Sequence, residues 1–396
     1  MRYYAAIASM GAAAAYAILA VFRGKNIPAK ILHIALGVVL AGWVYGAMTS
    51  PPQGAMRLCA EMGMTETLPG DNVDFKLDSF EIDRWEDTGT VRQYTSRLSL
   101  SDGSKAVVSV NSPYRRKGWW IYQNSYQEYA HPHTGKPFYF TILTCIKDNS
   151  LPFVTAGGIL LLLGALLFAA KEMKKAPASF TVKKYPKVRF LYALYALYFV
   201  CAIAMLVHRT ISTGHPPMQN MYEFLMCSAA FIPLLTFVSA KLDKQNTILV
   251  DSILALFVMI PVGFAMDGTV KRLMPALQSP LFIPHVGAYV IGYLILVRAA
   301  LGAGRRFTGA GFFLLTLGLV LGATWGKICW GNWWQFDPKE MWSLATWFVY
   351  AAYFHVSPKL SDKGKTAFLA LGAVMIVLTL TWINLSRIFT GMHSYA

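Results

Sequence analysis

The stretch LPFVTAGGILLLLGALLFAA, residues 151–170, is twenty residues long and contains no charged side chain. A transmembrane α-helix needs about 17–25 predominantly apolar residues to cross the bilayer. The whole chain has the same character, because 55% of its 396 residues are hydrophobic and only 14% are charged. This composition excludes an ordinary soluble globular protein and predicts a polytopic membrane protein.

Nine further segments resemble this one, so we expect an all-α polytopic membrane protein with about ten transmembrane helices. The approximate limits of the ten are 3–21, 30–48, 151–170, 190–207, 221–240, 247–264, 285–301, 307–323, 342–357 and 366–386. A polar insert, about residues 49–150, follows the second helix. Its alternating segments, such as FKLDSFEIDRW and KAVVSVNS, and its turn sequences DTGT and SDGS predict a small, exported β-rich domain, with a sandwich as one candidate fold.

The formal net charge of +16 is concentrated in alternate short loops, such as FRGKNIPAK and KEMKKAPASFTVKKYPKVR. Cytoplasmic loops of membrane proteins carry an excess of Lys and Arg. The distribution therefore predicts a multi-pass membrane protein with both ends and the insert outside, and it argues against a nucleic-acid partner. Arg23 and Lys25 follow the first helix, where a cleaved signal peptide would not carry them, so we expect a retained anchor.

The five cysteines form no CxxC motif. The chain is therefore not itself a c-type cytochrome, which would need CxxCH. Cys59 and Cys145 both fall in the exported insert, where a disulfide is permitted. The sequence leaves open whether these two cysteines are bridged or are free thiols.

Two pairs of histidines lie at matching depths of the predicted topology. His33 and His355 are near the cytoplasmic ends of the second and ninth helices, and His285 and His393 are at the outer face. Two neutral imidazoles can supply both axial positions of a haem iron. A single membrane histidine commonly makes only a helix–helix hydrogen bond, but an ionisable residue inside the membrane usually marks a function. The two pairs therefore predict two haem sites, one transmembrane and one outer.

The segment WGNWWQFDPKEMW, residues 330–342, joins the eighth and ninth predicted helices on the outer face. Tryptophan gathers at membrane interfaces in any case, but this does not explain the Asp-Pro-Lys-Glu within the cluster. The rings offer a stacking surface for a flat apolar ligand such as a porphyrin, and the acidic pair fits a structural turn better than a catalytic role. The residues that we expect to contact haem are Trp325, Trp330, Trp333, Trp334, Phe336, Asp337, Pro338, Glu340 and Trp342.

These motifs resemble those of a known family. GATWGKICWGNWWQFDPKEMWSL resembles the WWD signature of haem-handling proteins, most closely the CcsA (ResC) component of system II cytochrome c synthases. PHVGAYVIGY with His285, GMHSY with His393 and STGHPPMQNMYEFL resemble further family segments in the right order, and His355 resembles the family's transmembrane histidine. Phe336 stands where a tryptophan is usual and Trp333 where a tyrosine is, and both keep an aromatic surface.

The N-terminal part is similar to the partner component, CcsB (ResB). SPYRRKGWWIYQNSYQEY and IKDNSLPFVTAGGILLLLG resemble its exported strand segment and its last helix, so His33 would be its transmembrane haem ligand. The resemblance divides the chain into a ResB-like part, residues 1–170, and a CcsA-like part, residues 171–396. The first part is shorter than that component, and the sequence leaves open whether it suffices without another chain.

The resemblance implies a holocytochrome c synthase of the haem lyase type in the bacterial inner membrane, with the tryptophan-rich segment and the β-rich domain on the periplasmic side. Such a protein moves haem b outward and attaches it through thioethers to apocytochromes that bear CxxCH, so haem b is both substrate and bound group. The implied partners are apocytochrome c, haem, membrane lipid and a thiol-reducing protein. Two alternatives stay open: a haem exporter or chaperone without ligase activity, and a transmembrane haem electron conduit. The candidate partners of the haem propionates are Arg209, Lys271, Arg272 and Arg387.

Overall fold

A computed structural model describes residues 2–23, 26–68, 70–131, 135–174 and 189–385 of the chain. Within these ranges each predicted apolar segment coincides with one α-helix. The helices are α1 (Arg2–Arg23), α2 (Ile27–Thr49), α3 (Leu151–Lys174), α4 (Arg189–Thr213), α5 (Met221–Leu242), α6 (Ile248–Phe264), α7 (Phe282–Ala300), α8 (Thr308–Trp330), α9 (Pro338–Val356) and α10 (Asp362–Leu385).

Seven of these helices are long and apolar enough to cross a membrane, judged by their length and composition: α2, α3, α4, α5, α7, α8 and α10. The prediction of a polytopic membrane protein is thereby confirmed. The number of ten spans and the orientation of the chain stay predictions.

Helices α8 and α9 both extend beyond their predicted limits toward each other. Helix α8 continues to Trp330 and ends where Gly331 adopts a left-handed conformation, φ 89°. Helix α9 begins already at Pro338, because Asp337 caps its first turn. The connection that we call the tryptophan loop is therefore only residues 331–337. Helix α4 likewise extends to Thr213, so His208 lies within a helix and not in the loop that the sequence predicted.

The insert between α2 and α3 folds as a β-sandwich, which we call the β-domain. Its strands are β1 (Gly54–Cys59), β2 (Thr65–Thr67), β3 (Asp74–Arg84), β4 (Val91–Leu100), β5 (Lys105–Ser109), β6 (Tyr114–Arg116), β7 (Trp119–Ala130) and β8 (Pro137–Lys147). They form two four-stranded antiparallel sheets, in the orders β1-β8-β7-β6 and β2-β3-β4-β5. Fully buried side chains from both sheets, such as Leu58, Phe75, Leu98 and Leu143, form one shared core, so the β-rich prediction is confirmed.

Cys59 and Cys145 do not form a disulfide; both are buried free thiols. In the pairing of β1 with β8, Cys145 lies opposite Gly54 and Cys59 lies opposite Phe140. The two cysteines are thus five residues apart along the ladder, roughly 17 Å at about 3.4 Å per residue. A disulfide needs Cα atoms within about 7 Å, so the strand register excludes the bridge.

Helices α2 and α3, which enclose the β-domain in the sequence, pack through glycines. A Cβ added at Gly157 would lie 2.5 Å from Val39 Cγ2, and one added at Gly164 would lie 3.0 Å from the backbone nitrogen of Leu32. Small residues let membrane helices approach this closely. The close approach fixes the position of α2, which carries His33.

A buried ion pair ties the helices of the CcsA-like part together, and the sequence analysis did not identify it. Arg298 on α7 donates from Nε to Asp251 Oδ1 on α6, 2.7 Å away, and both side chains are almost fully buried. The hydroxyls of Thr236 and Thr247 also donate to Asp251. Removal of one partner would leave a buried charge uncompensated, so we assign this cluster to helix packing.

Candidate functional site

His33 and His355 lie side by side, with ring centroids 5.7 Å apart and ring planes at 77°. His33 is near the start of α2 and His355 near the end of α9, so both are at the ends of their helices that point away from the β-domain. Helix α3, which packs against α2, contacts α9 through Phe168 and Phe354, whose ring centroids are 4.9 Å apart. Of the four predicted ligands, these are the two that the described residues bring together.

The rings of this pair are oriented in the same way. His33 Nδ1 lies 2.6 Å from the carbonyl of Ala29, and His355 Nδ1 lies 2.8 Å from the carbonyl of Ala351. Each contact spans one helical turn and makes Nδ1 the protonated nitrogen, since a carbonyl can only accept. Metal-binding histidines commonly donate their other N–H in this manner, which leaves Nε2 as the ligand atom.

The separation of the two rings fits one metal ion between them. Two imidazoles that share a metal through nitrogens at about 2 Å place their ring centroids on the order of 6 Å apart, close to the observed separation. His33 is half-buried and His355 is exposed on the helix surface, so the pair opens toward the side of the helices. A flat ligand therefore has access to it.

His285 is held by a neighbouring helix. It lies in the first turn of α7, and its Nδ1 donates to the carbonyl of Gly318 on α8 at 2.8 Å. Tyr289 and Trp325 contact the ring edge-on, with centroids 5.2 and 5.8 Å away. A Cβ at Gly322 would lie 2.6 Å from His285 Cε1, so α8 must carry glycine where the imidazole packs. Its predicted partner His393 lies outside the described residues.

The predicted aromatic contacts divide between two faces. Trp325 is buried beside His285, and Trp330 packs on Trp325 with centroids 5.9 Å apart. Trp333, Trp334 and Phe336 instead line a pocket of about 350 Å³ that they share with the ends of α2 and β8. The sequence predicted one aromatic surface, whereas the helix end at Trp330 separates it into two.

The polar residues of the tryptophan loop form a capping box at the start of α9. Asp337 Oδ1 accepts from the amide of Lys339, and Glu340 Oε2 accepts from the amides of Gln335 and Asp337. Pro338 occupies the first helical turn, where its missing N–H is not needed. This arrangement gives Asp337 and Glu340 a structural task, in line with the expected turn. Trp342 lies one turn into α9 and is half-buried.

Phe336 is unusual in both conformation and exposure. Its φ is 58°, a left-handed value that is rare for a bulky residue. Its side chain is 70% exposed, although it is apolar. The cost of this conformation and of the exposed ring makes Phe336 a candidate for direct ligand contact.

Two of the expected propionate partners are already engaged. Arg209 is buried, donates from Nε to Glu223 Oε1 at 3.0 Å and donates from its terminal nitrogens to the carbonyls of Gly268 and Thr269. Arg272 binds Asp87 of the β-domain at 2.6 Å, and its hydrogen bonds hold the pKa of Asp87 below the ordinary value. Lys271 is exposed and lies 4.0 Å from Asp267, and Arg387 lies outside the described residues.

One contact that was not predicted from the sequence joins the two parts of the chain at the tryptophan loop. Lys327 Nζ lies 2.6 Å from Asp148 Oδ2, and Trp333 Nε1 donates to the same oxygen at 3.1 Å. A lysine near the end of a predicted apolar helix was the available signal, because a buried amine there requires a partner. Nothing in the sequence indicated that the partner would be Asp148.

Two parts of the chain match known protein families. Residues 303–391 match the family model described as Cytochrome C assembly protein, and residues 29–141 match that of the ResB-like family. The first match includes α8, the tryptophan loop and His355, and the second includes His33 and most of the β-domain. The chain thus joins a ResB-like part to a CcsA-like part, as the resemblance indicated.

Curated relatives support the same assignment. The cytochrome c biogenesis proteins CcsA of Nicotiana tomentosiformis and Gossypium hirsutum are 24% and 25% identical over alignments of 262 and 267 positions, gaps included, and these matches cover 50% of this chain and 82% of each relative. The CcsA of Chlamydomonas reinhardtii is 28% identical over an alignment of 229 positions, gaps included, and this match covers 49% of this chain and 64% of the relative. The chain is therefore a membrane protein of system II cytochrome c biogenesis.

Proposed function

We propose that this protein is a holocytochrome c synthase that receives haem b at His33 and His355 and attaches it to apocytochrome c at His285. The observation that carries the proposal is the pair of imidazoles 5.7 Å apart, with both Nδ1 atoms turned toward carbonyls of their own helices. One histidine belongs to the ResB-like part and the other to the CcsA-like part, so the transmembrane site requires both.

The proposed route runs from the cytoplasmic to the outer side of a bacterial inner membrane. Haem b, the substrate, binds His33 and His355 first and then moves to the end of the helices that carries His285 and the tryptophan loop. There His285 and, from the resemblance, His393 hold the iron. The indole rings of the loop pack on the porphyrin face.

The attachment step needs few groups from the protein. Each cysteine S–H of CxxCH adds across one vinyl C=C: a C–S bond forms, the hydrogen goes to the adjacent carbon, and no electrons are transferred overall. Holding the reacting groups together can lower the barrier by about 7–11 kcal/mol in the best cases. The thiols must arrive reduced, which a thiol-reducing partner would ensure.

Co-expression with a CxxCH apocytochrome, in a host without its own maturation system, tests the proposal. We expect covalent haem, detected by haem staining after denaturing electrophoresis. The His33→Ala/His355→Ala double variant should lose the covalent product. Haem bound to the purified chain without covalent product would identify an exporter or chaperone. Haem that stays bound while an added redox partner is reduced would indicate an electron conduit.

A second measurement addresses the outer site. The visible spectrum of the detergent-purified chain should show a Soret band and sharp reduced α and β bands. These bands should diminish in a His285→Ala/His393→Ala variant. Identical spectra in the two proteins would contradict the assignment of these histidines as ligands.

A further inference from the structure

One carboxylate of the ResB-like part reaches into the tryptophan loop of the CcsA-like part. Asp148 follows β8 directly, and Lys327 lies in the last turn of α8. The distance from Lys327 Nζ to Asp148 Oδ2 is 2.6 Å, with the lysine side chain 4% exposed and the aspartate 15%. Trp333 Nε1 donates to the same oxygen. The buried carboxylate thus binds the end of a helix and an indole of the loop at once.

Asp148 is itself held rigidly. Its other oxygen, Oδ1, accepts from the amide of Ser150 at 2.8 Å and from the Ser150 hydroxyl at 2.5 Å. Burial by itself raises the pKa of Asp148, but the hydrogen bonds from Lys327 and Ser150 outweigh it and hold the pKa below the ordinary value. The group is therefore an ionised acceptor with both oxygens committed, and it can fix the direction of the indole N–H.

The turn that begins the loop is held by the same contact. Lys327 Nζ donates to the carbonyl of Gly331 at 2.9 Å. Gly331 has φ 89°, and a Cβ there would collide with Ile146 Cδ1 and lie 2.9 Å from Tyr122 Cε2. Strands β7 and β8 therefore pack directly on the turn. In contrast, the neighbouring contact from Gln53 to Asn332 is exposed and can contribute little.

We propose that Asp148 is a positioning residue through which the β-domain sets the conformation of the tryptophan loop. Its carboxylate orients the Trp333 indole and, through Lys327, the turn at Gly331. The rings of Trp334 and Phe336 follow in the same short segment and line the pocket between the two parts. This inference rests on the proposed function only for the loop's task, which is to hold haem during attachment.

The first test measures the loop itself, without haem. Amide hydrogen exchange of residues 331–337 is compared in the detergent-purified full chain and in three variants. Asp148→Asn keeps the shape and removes the charge, and we expect exchange at least about tenfold faster. Trp333→Phe keeps an aromatic ring and removes the indole N–H together with the pyrrole ring, and we expect a smaller increase in the same residues. This milder variant keeps the test decisive if Asp148→Asn fails to fold.

The third variant, Asp71→Asn, is the matched control. Asp71 is another buried carboxylate of the β-domain, bonded to Arg116 at 2.6 Å and Lys117 at 2.7 Å, and it does not contact the loop. It should lower the stability of the β-domain and leave exchange at residues 331–337 unchanged. Equal effects of Asp71→Asn and Asp148→Asn on hydrogen exchange in the loop would mean that Asp148 only stabilises the fold, and would overturn the inference. Unchanged hydrogen exchange at residues 331–337 in Asp148→Asn would also overturn it.

The second test measures the consequence for haem. In the co-expression assay, Asp148→Asn should lower the covalent yield at least about tenfold and shift the reduced α band, whereas Asp71→Asn should leave the α band in place. A full yield in Asp148→Asn, beside an active wild type, would contradict the inference and leave the proposed function standing. No covalent product from the wild type, together with a loop that responds to Asp148→Asn, would reject the proposed function and support the positioning role.

Discussion

The two histidine sites differ in what orients their rings. At the His33–His355 pair, each imidazole donates to a carbonyl four residues earlier in its own helix. His285 donates instead to Gly318, 33 residues away on another helix. The orientation of the His33 and His355 rings is thus set within each helix, and only the approach of α2 to α9 depends on tertiary packing. The orientation of His285 depends on the packing of α7 against α8. Substitutions far from His285 should therefore disturb it more easily.

The sites also differ in enclosure. His355 is exposed on the helix surface, whereas His285 is confined by Tyr289, Trp325 and the glycines of α8. A confined ligand permits one geometry, and an open pair tolerates several. We infer that the first site is suited to accept haem and the second to hold it in the geometry that attachment needs.

The largest expected effect is the loss of haem binding at one site while the other site still binds haem. His33→Ala/His355→Ala should lower haem binding at the transmembrane pair by at least about tenfold, because both axial ligands are removed. Haem added to the detergent-solubilised variant should still load the His285 site. Haem-to-protein ratios and reduced spectra of this variant and of His285→Ala measure the two separately. Loss of all haem in either variant would show that the sites are not independent.

A smaller change should affect only the enclosed site. Gly322→Ala places a methyl group 2.6 Å from His285 Cε1, so the imidazole or α8 must move. We expect about a tenfold loss of haem at His285 and none at His33–His355. Gly287→Ala is the control, since a Cβ at Gly287 meets nothing within 4 Å. Equal spectra for the two variants would refute the dependence on α8.

The open site should respond more weakly to the same kind of change. A Cβ at Gly164 would lie 3.0 Å from the backbone nitrogen of Leu32, next to His33. Gly164→Ala should push α2 away by a few tenths of an ångström and cost about 1–3 kcal/mol, with a modest loss of haem at this pair. At Gly158 the nearest atom is 3.5 Å away, so Gly158→Ala should have little effect. Thermal unfolding and haem titration compare the two, and identical results would contradict the packing account.

The smallest effect should arise in the β-domain, remote from both sites. Hydrogen bonds from Ser104, joined by Arg116, lower the pKa of Asp102 from its ordinary value of 3.8 to about 2. A lowered carboxyl pKa contributes stability that is present above pH 3.8 and is lost as the pH falls toward 2. Asp102→Asn should remove this part of the acid sensitivity of the apparent Tm. Haem spectra at pH 7 should not change, and any change there would mean that the β-domain is coupled more widely than through Asp148.

Local patterns were sufficient to predict several features of the molecule. Apolar runs of 16 to 21 residues located every α-helix in the described part of the chain, because helix formation in a bilayer depends on length and hydrophobicity. Alternation and the turns DTGT and SDGS located strands β3, β4 and β5. The helix limits at Trp330 and Pro338 were missed, since a capping box and a left-handed glycine decide them more than hydrophobicity does.

The division of the aromatic residues between two faces could not be predicted. It depends on where α8 ends and on how β7 and β8 pack against Gly331. The cysteines show the same limit: composition permitted a disulfide, but the β1–β8 register separates Cys59 from Cys145. The pairing of Asp148 with Lys327, 179 residues apart, is likewise a product of tertiary packing.

By itself the sequence determined the membrane class, the β-domain, the two related families and the four candidate histidines, because each depends on residue types and on spacing along the chain. Only the tertiary structure decided that His33 meets His355, that Gly318 orients His285 and that Asp148 reaches the tryptophan loop. These contacts join residues far apart in the chain, and their distances follow from helix and strand packing, which no local pattern encodes.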